Sequence, residues 1–163
     1  MQYNNKTVWI TGASSGIGKE LAIQFAELGA RVILSARNVD KLNDLKATLK
    51  GEGHLVLPLD LAQPEHVLST ITANMSELPV IDILINNGGV SQRSLFLEND
   101  FNVYRQLMEV NYFGSIALTK AVLPTMVARR SGSIVSISSV AGKVGSKFRT
   151  GYSGSKYAVV GFM

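Results

Sequence analysis

Tyr152 and Lys156 stand four positions apart, and on a helix that spacing puts both side chains on one side, one turn from each other. The pair has a chemical use. A free phenol has a pKa near ~10 and is a poor base at neutral pH. An ammonium beside it favours the phenolate. Such a phenol can take a proton from an alcohol or return one to a carbonyl oxygen. Ser139, thirteen residues before Tyr152, follows the apolar run Ser133–Ser138 and could hydrogen-bond the same oxygen from the end of a strand. A Tyr-x-x-x-Lys spacing is frequent by chance, so its weight rests on its surroundings.

Those surroundings include a glycine turn, Thr11-Gly12-Ala13-Ser14-Ser15-Gly16-Ile17-Gly18, between a strand-like run and an amphipathic run. Glycines there permit backbone angles that side chains forbid. They also let a pyrophosphate reach the amides of a helix N-terminus. A plain tight turn is the competing reading. After the second strand-like run comes Arg37, where an NAD site would carry Asp or Glu for the ribose 2′-hydroxyl. A guanidinium fork matches a 2′-phosphate instead, so NADP(H) is preferred, with NAD(H) and a merely solvated arginine as alternatives. Asp60 could accept from an adenine amino group while Leu61 covers the ring, or Asp60 could cap the next helix. In Asn86-Asn87-Gly88-Gly89, two amides can tie strand ends together and two glycines let a flat ring lie on the backbone; a turn is again the alternative. Asn111, three residues before Gly114, is poor helix material and points to a local kink.

Positioning these residues requires alternating strands and helices. Apolar runs at Thr7–Ile10, Arg31–Ser35, His54–Leu59, Ile81–Ile85 and Ser133–Ser138 predict five strands. Pro58 assigns the third to a sheet edge, since proline cannot donate to a central ladder. Helices are predicted over 16–29 (Ile17, Leu21, Ala22, Phe25 and Leu28 inward), from Asn38 or Asp40 to Gly51, from Pro64 to Ser76, over 100–129, and from about Tyr152 onward. The long one buries Val103, Leu107, Val110, Leu118, Val122 and Met126 and should bend at Pro124. Five strands joined by helices make an α/β doubly wound parallel sheet with helices on both faces, whose ligands bind at the carboxyl ends of the strands.

Composition narrows the classes. A chain of 163 residues is one domain by size, and 46% hydrophobic with 17% charged residues argues against disorder. Without cysteine there is no disulfide, thiolate metal site or cysteine nucleophile; with only His54 and His66, no metal centre is expected. No apolar run reaches the ~20 residues of a membrane span, and the polar start is unlike a signal peptide, so a cytoplasmic protein is expected. Up to Glu109 nine basic residues face twelve acidic ones; after it come seven basic residues and no acid. Nucleic-acid binding fits this tail poorly, because the basic residues are scattered among apolar and glycine positions rather than clustered with aromatics.

Taken together, the Thr11–Gly18 turn, Asn86–Gly89, Asn111, Ser139 and Tyr152-Ser153-Gly154-Ser155-Lys156 resemble the classical short-chain dehydrogenase/reductase family. Gly88 departs from it, the family having alanine there. The resemblance implies a Rossmann-type domain over 1–163 that holds NADP(H) through Gly12, Ser14, Ser15, Gly16, Ile17, Gly18, Arg37, Asp60, Leu61, Asn87 and Gly88, with Tyr152 and Lys156. It implies hydride transfer between that cofactor and a carbonyl or secondary alcohol of a small, apolar substrate. Tyr152 is then the acid/base, Ser139 polarises the oxygen, Lys156 lowers the tyrosine pKa and holds the nicotinamide ribose, and Asn111 supports a water between Lys156 and solvent. Asn86–Leu95 and Leu57–Leu61 are similar to a branch of membrane-associated reductases of retinoids, steroids and other carbonyls. Family members run to about 250 residues within a single-domain size, so the resemblance implies a domain cut short after the fifth strand and the start of the next helix, and a homo-oligomer in the full-length form. The alternative is a cofactor-binding module inactive for want of the substrate-covering part.

Overall fold

The computed structural model describes residues 3–163. Strand β1 (Thr7–Thr11) is buried along its whole length. It lies between β2 (Arg31–Ser35) and β4 (Ile83–Asn86), with β3 (Leu55–Val56) beyond β2 and β5 (Ser133–Ser136) beyond β4. All four pairings are parallel, in the order β3-β2-β1-β4-β5. Alternate residues of β1 feed two cores, as a period of two requires. Val8 and Ile10 join Val32 and Leu34 under α1 (Gly16–Glu27) and α2 (Val39–Thr48). Trp9 joins Ile33 and Leu84 under α3 (Pro64–Asn74) and the later α5 (Gly114–Ala128). Trp9 has no exposed surface; its indole N–H donates to Ser35 Oγ (2.8 Å), which donates to the Leu57 carbonyl (2.6 Å), so its one polar atom is satisfied. Helices thus cover both faces of a parallel sheet, as the sequence predicts.

Two features expected of the strands take a specific form. The third strand is shorter than His54–Leu59, yet the Leu57 and Leu59 amides still donate to Leu34 and Ala36 of the β2 side. Pro58 lies between them, so its missing donor faces the open edge. His54 is buried and structural: the Val32 amide donates to Nδ1 (3.1 Å), which leaves Nε2 to donate to the Lys50 carbonyl (3.1 Å).

The helix predicted over 100–129 is instead α4 (Phe101–Met108), a π-helical turn (Glu109–Phe113) and α5. The kink expected at Asn111 is therefore one extra residue inserted into the helical ladder. Pro124, where a bend is expected, lies inside α5, which runs four residues further and ends one residue before the predicted 129. A last helix, α6, spans Thr150–Phe162. Among the described residues no helix is long and apolar enough to cross a membrane.

At the end of the sheet remote from the glycine turn, Asp82 ties three segments together. It accepts from the Thr7 amide (3.0 Å), Lys6 Nζ (3.1 Å) and Arg129 Nη1 (3.2 Å), while Arg129 also donates to the Ile81 carbonyl. Burial raises the carboxyl pKa, but these donors outweigh it and hold it below the ordinary 3.8. A depressed carboxylate contributes stability that is fully present above the unfolded value and is lost as pH falls through the folded one. Replacing Asp82 by Ala should cost about 2–4 kcal/mol at pH 7, because Arg129 is left partly buried without its anion. Urea unfolding at pH 7 and pH 3 checks both points: the gap between wild type and variant should shrink in acid.

Candidate active site

A cavity of about 700 Å³ opens at the carboxyl ends of the strands, where the strand order reverses between β1 and β4. Thr11, Gly12, Ser14 and Ser15 form its wall after β1; Ala36, Arg37 and Asn38 after β2. Leu59, Asp60 and Leu61 close it after β3, and Asn87 to Val90 after β4. Of the residues the sequence assigns to a nucleotide, Gly12, Ser14, Ser15, Arg37, Asp60, Leu61, Asn87 and Gly88 therefore share one cavity.

Gly16, Ile17 and Gly18 lie outside that wall. Ile17 is 62% exposed, which corrects its inward assignment; Leu28 is also exposed. The buried stripe of α1 is Gly18, Ala22 and Ala26, small residues that seat the helix close to the sheet. Gly18 itself packs under the turn, since a Cβ there would strike the Gly12 carbonyl and lie 2.5 Å from Asn87 Nδ2. Gly12 has φ +66°, a left-handed backbone open to glycine.

The turn is fixed by a residue the sequence reading gave no role. Thr11 Oγ1 accepts from the amides of Asn87 (3.0 Å) and Gly88 (2.9 Å), and Asn87 Nδ2 donates to the Thr11 carbonyl (2.9 Å). Asn86 Nδ2 donates to Thr119 Oγ1 of α5 (3.0 Å). The two amides thus tie β4 to β1 and to a helix. Asp60 is not the cap of α3: that position is Gln63, with no side-chain cap. Asp60 Oδ1 accepts from the Ala62 amide (3.0 Å), closing a turn before the helix while the residue lines the cavity. A Cβ on Gly88 would meet Leu61 Cδ1 at 2.6 Å, the far end of a flexible side chain, so the departure to glycine is mild.

The walls suit a dinucleotide. The first turn of α1 carries no acidic residue and no side-chain cap, leaving its amides to an anion. Arg37 is exposed at the wall and forms no ion pair among the described residues.

Asn111 and Lys156 reach the loop at Gly89 and Val90, Tyr152 lies one turn from Lys156, and Ser139 follows β5. Tyr152 and Lys156 share one face of α6, with Lys156 Nζ 5.9 Å from the centre of the Tyr152 ring. Lys156 is buried, and burial pushes its ammonium pKa below the ordinary 10.5. Its Nζ donates to the Ile137 carbonyl (2.8 Å), and a Cβ on Gly89 would lie 3.6 Å from it, so the amine reaches the cavity's far wall. Ser139 Oγ accepts from the Ala141 amide (3.1 Å), which leaves its O–H free to donate. Asn111 is buried in the π-helical turn; its Oδ1 accepts from the Val90 amide (2.8 Å) and its Nδ2 donates to the Val90 carbonyl (2.9 Å) and Ser155 Oγ (2.9 Å). The side chain thus clamps the loop after β4 to α6.

The chain is similar to known proteins in sequence and in fold. A family model described as short chain dehydrogenase matches residues 6–163. Human dehydrogenase/reductase SDR family member 7 is 45% identical over 167 residues, covering 99% of this chain and 49% of that protein. A Drosophila melanogaster dehydrogenase/reductase SDR family protein 7-like is 46% identical, covering 99% of this chain and 51% of that protein. The chain spans about half the length of the curated relatives it matches. A short-chain dehydrogenase from Escherichia coli CFT073 complexed with NADPH superposes with a TM-score of 0.91 at 32% identity, over 99% of this chain and 70% of that one.

Proposed function

The chain belongs to the short-chain dehydrogenase family, and from that premise we propose that it transfers a hydride between NADP(H) and a carbonyl or secondary alcohol of a small, apolar substrate. The observation that carries this reading is Lys156. It is a buried ammonium with three donors, one spent on the Ile137 carbonyl, and no carboxylate among the described residues pairs with it. Such a cation stabilises an anion brought to it, and Tyr152 one turn away supplies a phenolate.

The nicotinamide, when bound, gives or takes the hydride. The residues of the chain do the rest. In reduction the Ser139 hydroxyl donates to the carbonyl oxygen and polarises it. Tyr152 passes its hydroxyl proton to that oxygen as the carbon receives the hydride, and the resulting phenolate is stabilised by Lys156. One of the two remaining Lys156 donors then holds a sugar hydroxyl. In the same reading Asn111, whose side chain fixes Val90 to Ser155, supports a water between Lys156 and solvent.

Arg37 is the reading's handle on cofactor choice. Arg37→Ala should weaken NADPH roughly tenfold to a hundredfold, the worth of a charge-assisted hydrogen bond, and leave NADH nearly unchanged. Fluorescence titrations with both nucleotides check this; an unaltered ratio of the two affinities refutes the 2′-phosphate contact. For the activity itself, NADPH titration is paired with turnover on a set of ketones. Binding with turnover supports the reading, whereas binding without turnover favours a cofactor-binding module.

A further inference from the structure

The loop after β4 and the segment before α6 meet at Tyr152. Gln92, buried, donates from Nε2 to the Phe148 carbonyl (3.3 Å), and the Ser94 amide donates to the same carbonyl (3.0 Å). Phe148 has φ +64°, a left-handed conformation that a non-glycine residue adopts only under strain, so the two donors hold a strained corner. That corner sets the direction of the next residue. Arg149 Nη1 donates to Ser91 Oγ (2.6 Å), and its Cζ lies 5.6 Å from the centre of the Tyr152 ring. Arg149 and Lys156, three positions before and four after Tyr152, place two cations within cation–π range of one phenol. Neither pairs with a carboxylate; both ion pairs among the described residues are at Asp82.

We propose that Arg149 is a positioning residue for Tyr152: anchored by Ser91, its guanidinium holds the phenol ring in register with Lys156. This rests on the reading of Tyr152 as the acid/base. It adds a physical route from cofactor wall to proton donor. Val90 lines the cavity and is clamped by Asn111; Ser91 follows it and holds Arg149; Arg149 holds the ring. A lone lysine one turn away leaves the ring free to rotate about its side-chain bonds, and a second cation removes part of that freedom.

The test has two readouts. One is kcat and KM with NADPH and benzil as the carbonyl probe. The other is the ring carbon–proton NMR signal of Tyr152 in the cofactor-free chain, assigned by its loss in Tyr152→Phe. Arg149→Met should displace that signal and lower kcat roughly tenfold, with the NADPH KM within about twofold of wild type. Ser91→Ala should do the same to a smaller extent, and Arg149→Lys, which keeps the charge, should recover most of kcat. A ring signal undisplaced in both Arg149→Met and Ser91→Ala overturns the proposal, whether or not benzil is reduced. A wild-type kcat in Arg149→Met overturns it as well. Turnover that survives in Tyr152→Phe sinks the acid/base reading instead, and the ring signal still decides whether Arg149 holds the ring.

Discussion

Tyr152→Phe should lose turnover by roughly a hundredfold to ten-thousandfold, the range of a general acid removed from its transition state. It should do so with little change in fold or cofactor affinity. The Tyr152 hydroxyl makes no hydrogen bond to another described residue, so its removal strands no partner. The ring on which Arg149 and Lys156 lie is kept. A fall in kcat at unchanged melting temperature and nearly unchanged NADPH Kd is therefore the expected pattern. Equal turnover by the variant would refute the proposed acid. The same site predicts a pH limit. Burial lowers the Lys156 pKa below 10.5, so the charged form on which the phenolate depends gives way sooner on the alkaline side than an exposed lysine would allow.

How much of this was legible beforehand follows from the kind of signal each residue carries. Strand ends are local. A run of apolar residues followed by glycine, arginine, aspartate or asparagine marks a carboxyl edge whatever packs around it, and the switch-point rule then gathers those edges. Gly12, Arg37, Asp60 and Asn87 meet in one cavity for that reason. Pro58 was readable because its missing donor is a property of the residue itself. The kink at Asn111 was readable as a weak point in a helix, but its form was not. A π-helical turn is chosen by what the inserted residue can reach, here Val90 and Ser155, which lie 21 and 44 positions away.

The misses share a cause. Ile17 and Leu28 fall at helical spacing with Leu21 and Phe25, so hydrophobic periodicity placed them inward. The helix turns its small residues to the sheet instead, and small residues carry little hydrophobic contrast. Thr11 reads as the opening residue of the glycine turn, and its double acceptor role needs two amides from 76 and 77 positions away. Asp82 sits inside the apolar run Ile81–Ile85, which reads as one continuous strand; three segments have to converge before it becomes a latch.

Gly18→Ala carries the second large effect and separates packing from backbone freedom within one turn. An added Cβ at Gly18 would meet the Gly12 carbonyl, sit 2.5 Å from Asn87 Nδ2 and lie 2.8 Å from the Gly12 carbonyl carbon. Asn87 cannot yield cheaply, because its Nδ2 is bonded to the Thr11 carbonyl and its amide to Thr11 Oγ1. Helix α1 must instead lift from the turn. Overpacking of this kind costs typically about 1–3 kcal/mol, and the gain in helix propensity from glycine to alanine returns at most about 1 kcal/mol. A net loss of about 1–2 kcal/mol is expected, with NADPH affinity down at least tenfold because the turn and the helix N-terminus no longer align. Gly16→Ala is the contrast. A Cβ there meets nothing within 4 Å, and the cost is the φ of +54° alone, about 1–2 kcal/mol. Urea unfolding and NADPH titration of the two variants should therefore diverge in affinity more than in stability. Matching NADPH affinities would mean that the close contact of Gly18 with Gly12 and Asn87 does not set the cavity floor.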